Sequence, residues 1–129
     1  MAMTFREGNQ AKWIGARPAH NGTQIVKNAN SNNAIAILHT VTAGKTFYLK
    51  GFALSWNASG SGNGAFLLVR DAADVLQYYL MISYSGAAGH GLCTRDYSQP
   101  IEIAAGFDIC IQSNAATLSA FCTIDGWEE

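Results

Sequence analysis

The stretch Thr40–Trp56, TVTAGKTFYLKGFALSW, combines a turn signal with an apolar strand whose periodicity changes midway. The turn is predicted at Thr42–Lys45, because Gly44 has no Cβ and can adopt a positive φ. Two apolar sets of opposite parity follow the turn: Phe47 and Leu49, then Phe52, Leu54 and Trp56.

The change of parity falls at Lys50-Gly51 and predicts a β-bulge or a glycine bend. Side chains of a strand alternate between its two faces, so a slip of one position requires an extra residue or a bend. A strand that bends at this point can contribute to both sheets of a β-sandwich. The stretch therefore favours a β-sandwich.

Outward from this stretch, short apolar segments alternate with turn signals at roughly ten-residue spacing, and no segment has a convincing helical period. The pattern predicts an all-β fold, an antiparallel β-sandwich of eight or nine short strands, with a jelly roll as the first choice. Asn28–Asn33 is predicted to be a turn cluster, and Pro100 to open a strand. The predicted strands are Gly22–Asn28, Ala34–Val41, Thr46–Trp56, Ala65–Asp71, Val75–Tyr84, Leu92–Tyr97, Ile101–Ala104, Phe107–Gln112 and Leu118–Asp125.

The first 21 residues differ from the rest, because neither the helical nor the strand period is sustained there. We therefore expect an N-terminal arm or irregular lead-in over Met1–Asn21 and a single sandwich domain over residues 22–129. The arm contains an isolated apolar pair, Trp13 and Ile14, with Arg17 close behind. It is either a flexible terminus or a segment that docks on a partner through these three residues.

Composition narrows the class of protein. Of the 129 residues 49% are hydrophobic, which excludes a disordered chain, and 13% are charged, against about 25% in an average soluble domain. A net charge of −1 argues against nucleic acid as a partner. No apolar run is long enough to predict a membrane span, and the N-terminal residues do not have the pattern of a secretion signal. We therefore expect synthesis and folding in a cytosol.

The strand Val75–Tyr84 is apolar on both faces, which predicts either a central position or coverage by another subunit. With the low charge, this favours a homo-oligomer. Tyr79, Met81 and Tyr84 are the candidate interface residues.

No constellation predicts catalysis, a cofactor or a metal site. His39 lies in a predicted strand without a nucleophile motif, and no His-x-His pair accompanies it, so we expect a structural histidine with satisfied nitrogens and no enzyme activity. Cys93, Cys110 and Cys122 are predicted to be free thiols, with the last two on neighbouring strands.

Aromatic side chains allow two interpretations. They could form a sugar-binding platform, or they could fill the core and a subunit interface, and the second is favoured. The set consists of Trp56, Tyr78, Tyr79, Tyr84 and Trp127.

Three segments resemble a known group of proteins: TVTAGKTFYLKGFALS, PIEIAAGFDICIQSN and the closing DGWEE. They are similar to small β-sandwich virion proteins of tailed bacteriophages, which include head decoration (cement) proteins, head-fibre bases and tail adaptor domains. The resemblance spans roughly residues 34–129. It rests on an Ala-Gly turn into a strand that starts with an aromatic residue, a Pro-Ile strand with its own Ala-Gly turn, and a short Gly-aromatic-Glu-Glu terminus.

The resemblance implies a non-enzymatic virion protein, made in the host bacterial cytoplasm, that binds and stabilises the head lattice as an oligomer, with a trimer ahead of a dimer. Its partners would be copies of itself and the major capsid protein or another virion protein. The alternative is a glycan- or receptor-binding or adaptor domain of a phage tail or fibre. An ordinary cellular sugar-binding jelly roll is a third possibility.

Overall fold

The computed structural model describes residues 21–129, which form eight strands and no helix. The predicted arm, with Trp13, Ile14 and Arg17, lies outside the described residues apart from Asn21. The strands are β1 (Thr23–Asn32), β2 (Ile35–Thr40), β3 (Phe47–Ala58), β4 (Gly64–Arg70), β5 (Leu76–Tyr84), β6 (Gly89–Ile103), β7 (Asp108–Ser113) and β8 (Leu118–Glu128).

The strands form two four-stranded antiparallel sheets. Sheet A has the order β1-β8-β3-β6 and sheet B the order β2-β7-β4-β5. The chain passes back and forth between the two sheets, with β1, β3, β6 and β8 in sheet A and β2, β4, β5 and β7 in sheet B. This strand order is that of an eight-stranded jelly roll. The predicted all-β sandwich is confirmed.

The inward faces of the two sheets meet in one apolar core, and removing these side chains from water is the main force that holds the sheets together. The strand β3 supplies large side chains from both of its segments. The fully buried large residues include Val41, Phe47, Leu49, Leu54, Leu67, Val69, Ile103, Ile109, Ile111, Leu118 and Ile124.

The predicted bulge in β3 is present. Its pairing with both β8 and β6 skips between Leu49 and Gly51, so Lys50 is an extra residue in the strand. The expectation that β3 contributes to both sheets was wrong. The same two neighbours pair with β3 on either side of the bulge, which keeps the whole strand in sheet A.

The edge strand β6 includes two segments, Leu92–Tyr97 and Ile101–Ala104, that were predicted to be separate strands, although it ends at Ile103. Opposite Lys50, β6 carries the four residues 97–100 as an unpaired bulge, because Leu49 pairs with Ile101 and Gly51 with Asp96. The Lys50 ammonium donates a hydrogen bond to the Tyr97 carbonyl oxygen (2.5 Å) and lies 3.1 Å from Asp96 Oδ1. Pro100 therefore lies within a bulged edge strand, where its missing N–H removes no ladder hydrogen bond.

The Asn-rich segment belongs to β1, so the predicted turn cluster at Asn28–Asn33 was wrong except at its end, where Asn33 has φ 57°. The Ser31 hydroxyl accepts a hydrogen bond from the Ser113 backbone N–H (2.9 Å) and donates one to the Ala34 carbonyl. Continuous pairing with β8 therefore outweighs the local turn preference of asparagine.

The last strand, β8, continues through the predicted C-terminal tail. At Gly126 an added Cβ would lie 2.1 Å from the Tyr48 carbonyl oxygen and 2.7 Å from the Phe47 ring. Because the nearest atom belongs to the backbone of the neighbouring strand, no side-chain rotation relieves this contact. Only glycine fits this position without displacing β3.

A buried carboxylate closes the same end of the sandwich. Glu128 Oε2 accepts hydrogen bonds from His39 Nε2 (2.6 Å) and from the Thr42 backbone N–H (2.9 Å), which links sheet A to sheet B. Although burial opposes ionisation, the hydrogen bonds from Thr42 and His39 outweigh it and lower the pKa of Glu128. The expected hydrogen bonding of His39 is confirmed at Nε2.

Replacing Gly126 by alanine should destabilise the fold by about 1–3 kcal/mol, because β3 and β8 must separate to admit the methyl group. Urea unfolding of the two proteins measures this difference. The matched control is Gly60→Ala, where an added Cβ meets nothing within 4 Å. Equal stability of the Gly126→Ala and Gly60→Ala variants would contradict the close approach of the strands.

Replacing Glu128 by glutamine should lower the unfolding free energy at neutral pH by about 1–3 kcal/mol. The folded pKa is depressed, so the stabilisation is complete above the ordinary value of 4.5 and is lost as pH falls through the lower folded value. The difference between the two proteins should therefore shrink on acidification. Urea unfolding of both proteins between neutral pH and pH values below 4.5 measures this difference. The control is Glu102→Gln, at an exposed position. A stability difference that does not change with pH would contradict an ionised Glu128 in the folded protein.

Candidate interaction surface

No cluster suited to metal chemistry is found within residues 21–129, where no three His, Cys, Asp or Glu side chains converge. No helix long and apolar enough to cross a membrane occurs in this part of the chain either.

The three cysteines are unpaired, as expected. The predicted proximity of Cys110 and Cys122 on neighbouring strands was wrong, because β7 lies in sheet B and β8 in sheet A. Burial raises the pKa of Cys122 to about 12 and also raises that of Cys110, where the guanidinium of Arg70 opposes the shift. Both thiols therefore stay protonated and behave as small apolar side chains.

The outward side of sheet B is lined by apolar side chains from all four strands, and we call it the apolar face. Its residues follow from the register, which aligns outward positions in rows across the sheet. One row is Ile37, Cys110, Leu68 and Tyr79, and the next is Ile35, Gln112, Phe66 and Ile82. Leu76 and Tyr84 continue the face along β5.

Large side chains on the apolar face are well exposed. Ile37 is 51% exposed and Tyr84 62%, whereas Phe66, Leu68 and Cys110 on the two inner strands of the same face are buried. The rings of Tyr79 and Tyr84 lie 5.6 and 5.7 Å from the Phe66 ring, which holds both tyrosines in place. Fixed aromatic and aliphatic groups that cover one sheet face are typical of a protein–protein contact.

One arginine and two aspartates lie at the end of this apolar face. Arg70 Nη2 is 3.0 Å from Asp108 Oδ2, and Asp108 also accepts a hydrogen bond from the Thr40 hydroxyl (2.6 Å). Asp74 lies 3.3 Å from the same guanidinium nitrogen. The single guanidinium therefore contacts both carboxylates, and these three charged residues are confined to one end of the apolar face.

The strand β5 was predicted to be central or covered, and its position at the edge of sheet B excludes a central one within the described fold. Its pairing with β4 shifts register at two places, so residues at both odd and even positions of β5 contact apolar side chains. Of the candidate interface residues, Tyr79 and Tyr84 lie on the apolar face. Met81 pairs with Leu67 and packs half-buried against the core.

The strand β2 has an irregularity that sends its residues to different sides of sheet B. Ile35, Ile37 and His39 are alternate residues and would share one side of a regular strand, but the register shifts between Ile37 and His39. Leu38 is buried, whereas Ile35 and Ile37 are exposed. The irregularity therefore places both isoleucines on the apolar face. In the sequence, the signal for this face was the presence of large aliphatic residues at both odd and even positions of β2.

The five aromatic residues do not form one platform. Trp127 is buried and stacks on Tyr48 with ring centroids 5.3 Å apart. The Trp56 indole N–H donates a hydrogen bond to the Ser83 hydroxyl (2.9 Å), which ties β3 to β5. Only Tyr79 and Tyr84 of this set lie together on the apolar face, and they surround Phe66.

A second surface feature, which sequence reasoning missed, is a shallow groove of about 590 Å³ on the outward side of sheet A. We call it the outer groove. Its side chains come from four strands that are distant in sequence, so no local motif marks them. The residues that matter for its chemistry are Asn28, Asn30, Ala53, Ser55, Leu92, Phe121 and Thr123.

Comparisons with known proteins give little guidance. No family model matches the chain, and no curated protein matches it. A chain from the disulfide-linked pili of Bacillus endospore appendages is similar over 90% of this chain and 97% of its own length, with a TM-score of 0.39 and 10% identity. Similarity at that level carries no argument about this chain's function.

Proposed function

We propose that this protein is a non-enzymatic structural protein of a tailed-phage virion, a head decoration protein that binds the capsid lattice as a homo-oligomer. The observation that carries the proposal is the apolar face, which gives a small jelly roll a large surface for contact with other copies. The resemblance of Thr40–Ser55 and residues 100–114 to phage virion β-sandwiches supplies the setting.

Self-association is the first element of the proposal. Soluble monomers rarely expose contiguous apolar patches of more than a few hundred Å², and six large side chains of the apolar face are exposed. They are Ile35, Ile37, Leu76, Tyr79, Ile82 and Tyr84. A contact through this face also accounts for the low charged fraction of the chain, 13%. The resemblance favours a trimer over a dimer.

Capsid binding is the second element. An oligomer presents several identical weak contacts at once, and linking them raises the overall affinity without any new interaction. Trp13, Ile14 and Arg17 are the proposed capsid contact, because an aromatic anchor beside a cation can dominate a small interface. The proposal for these three residues rests on sequence.

Replacing Ile37 by aspartate should dissociate the oligomer, because it places a charge among the exposed side chains of the apolar face. Light scattering after size exclusion should give a mass above 13.8 kDa for the wild type and a lower mass for the variant. Leu92→Asp is the matched control, because Leu92 is an exposed aliphatic residue on the opposite sheet. A wild-type mass of 13.8 kDa at micromolar concentration would contradict self-association.

Replacing Trp13 by alanine should weaken binding to phage heads about tenfold or more, because the anchor of the small contact is lost. Co-sedimentation with candidate heads measures binding. The temperature at which decorated particles burst on heating measures their stability. Gln10→Ala serves as the control within the same segment.

Full binding and unchanged particle stability for Trp13→Ala would remove this residue from the mechanism. Saturable binding of a surface glycan without affinity for any head would instead favour the alternative, a receptor-binding or adaptor domain of a tail or fibre. The outer groove is the observation that keeps this second candidate in view.

A further inference from the structure

We propose that the outer groove binds one or two rings of a neutral saccharide. The juxtaposition of an exposed aromatic ring, two asparagine amides and a floor of small hydroxyl-bearing residues carries the proposal. It concerns the face opposite the apolar face, and it holds whether or not the protein decorates a phage head.

The register builds the groove from two adjacent rows across sheet A. Asn30, Phe121, Ser55 and Leu92 form one row, and Asn28, Thr123, Ala53 and Thr94 form the next. Neighbouring strands are about 4.8 Å apart, so Phe121 and Leu92 stand roughly 10 Å from each other across Ser55. The side chains between them are small, which leaves an open gap with two apolar walls.

Phe121 provides a surface suited to the apolar side of a sugar ring. It is 46% exposed although it lies in the second strand of the sheet, and Leu92 opposite is 70% exposed. The C–H groups on one side of a pyranose pack against an aromatic face, whose π-system is negative at its centre. The groove thus offers the apolar contact that a sugar requires.

The polar groups of the groove match the other side of the ligand. The exposed amides of Asn28 and Asn30 each present donors and an acceptor, and the hydroxyls of Ser55 and Thr123 do both. Sugar hydroxyls also donate and accept, so this set can pair with them. A few placed polar groups beside an apolar wall are typical of small-molecule sites.

The charge of the groove sets the class of saccharide. Within residues 21–129, no Lys, Arg, Asp or Glu lines the groove, so these residues offer no charged group to pair with a sulfate, phosphate or carboxylate. The floor is polar, in contrast to the apolar face of sheet B, which makes a second protein copy the poorer occupant. A neutral, hydroxyl-rich ligand fits both observations.

A nitrogen-15 NMR titration of the full-length protein tests the proposal. The probes are glucose, galactose, mannose, N-acetylglucosamine and maltotriose, with galacturonate as the charged control. At least one neutral probe should shift the backbone amide resonances of the groove residues in β1, β3, β6 and β8, with a Kd on the order of 1 mM. Galacturonate should shift them less.

Two variants place the ligand. Phe121→Ala should weaken binding about tenfold by removing the aromatic wall, and Ala53→Tyr should abolish it by filling the floor from an exposed position. Glu102→Ala, at an exposed position of β6 outside the groove, should leave binding unchanged. Thermal melting of each variant verifies that it is folded.

The proposal fails if no neutral probe shifts the groove resonances, or if the shifts persist in both groove variants. It also fails if Phe121→Ala lowers the mass of the protein oligomer in solution, because the groove would then be a contact between copies of the chain. These outcomes leave capsid co-sedimentation unaffected, so failure of the saccharide site and failure of the decoration role are distinguishable.

Discussion

The extra residue in β3 is the constraint on which the rest of the sandwich depends. Lys50 lies between two apolar pairs of opposite parity, and the bulge at this position turns both pairs toward the same core. Without it, Phe52 and Leu54 would point to the outer side of sheet A whenever Phe47 and Leu49 pointed inward. The Lys50 ammonium then binds the bulge of β6, so one local irregularity specifies two strands.

The C-terminal residues reinforce this arrangement from the other side of β3. Gly126 pairs with Leu49 just before the bulge, and the absence of a side chain lets the two strands approach. Two residues later, the Glu128 carboxylate binds His39 of sheet B. The last strand therefore determines both how closely β3 and β8 pack and how the two sheets are joined at this end.

The two outer faces of the sandwich differ in chemistry, although neither carries many charges. The apolar face presents isoleucines and tyrosines around Phe66, whereas the outer groove presents amides, hydroxyls and one phenylalanine. An apolar face suits permanent contact with protein, and a polar groove suits a small exchangeable ligand. If copies associate through sheet B, the outer groove on sheet A stays accessible.

The sequence by itself determined the all-β class, the turn at Gly44 and the bulge at Lys50, because these follow from local backbone preference and from the period of side chains along one strand. It did not determine which strands pair, since pairing depends on contacts between distant segments. Hence the asparagine-rich segment extended β1, the halves of β6 joined across Pro100, and β5 became an edge strand. The apolar face and the outer groove each combine residues from four strands, so only the tertiary structure could bring their side chains together.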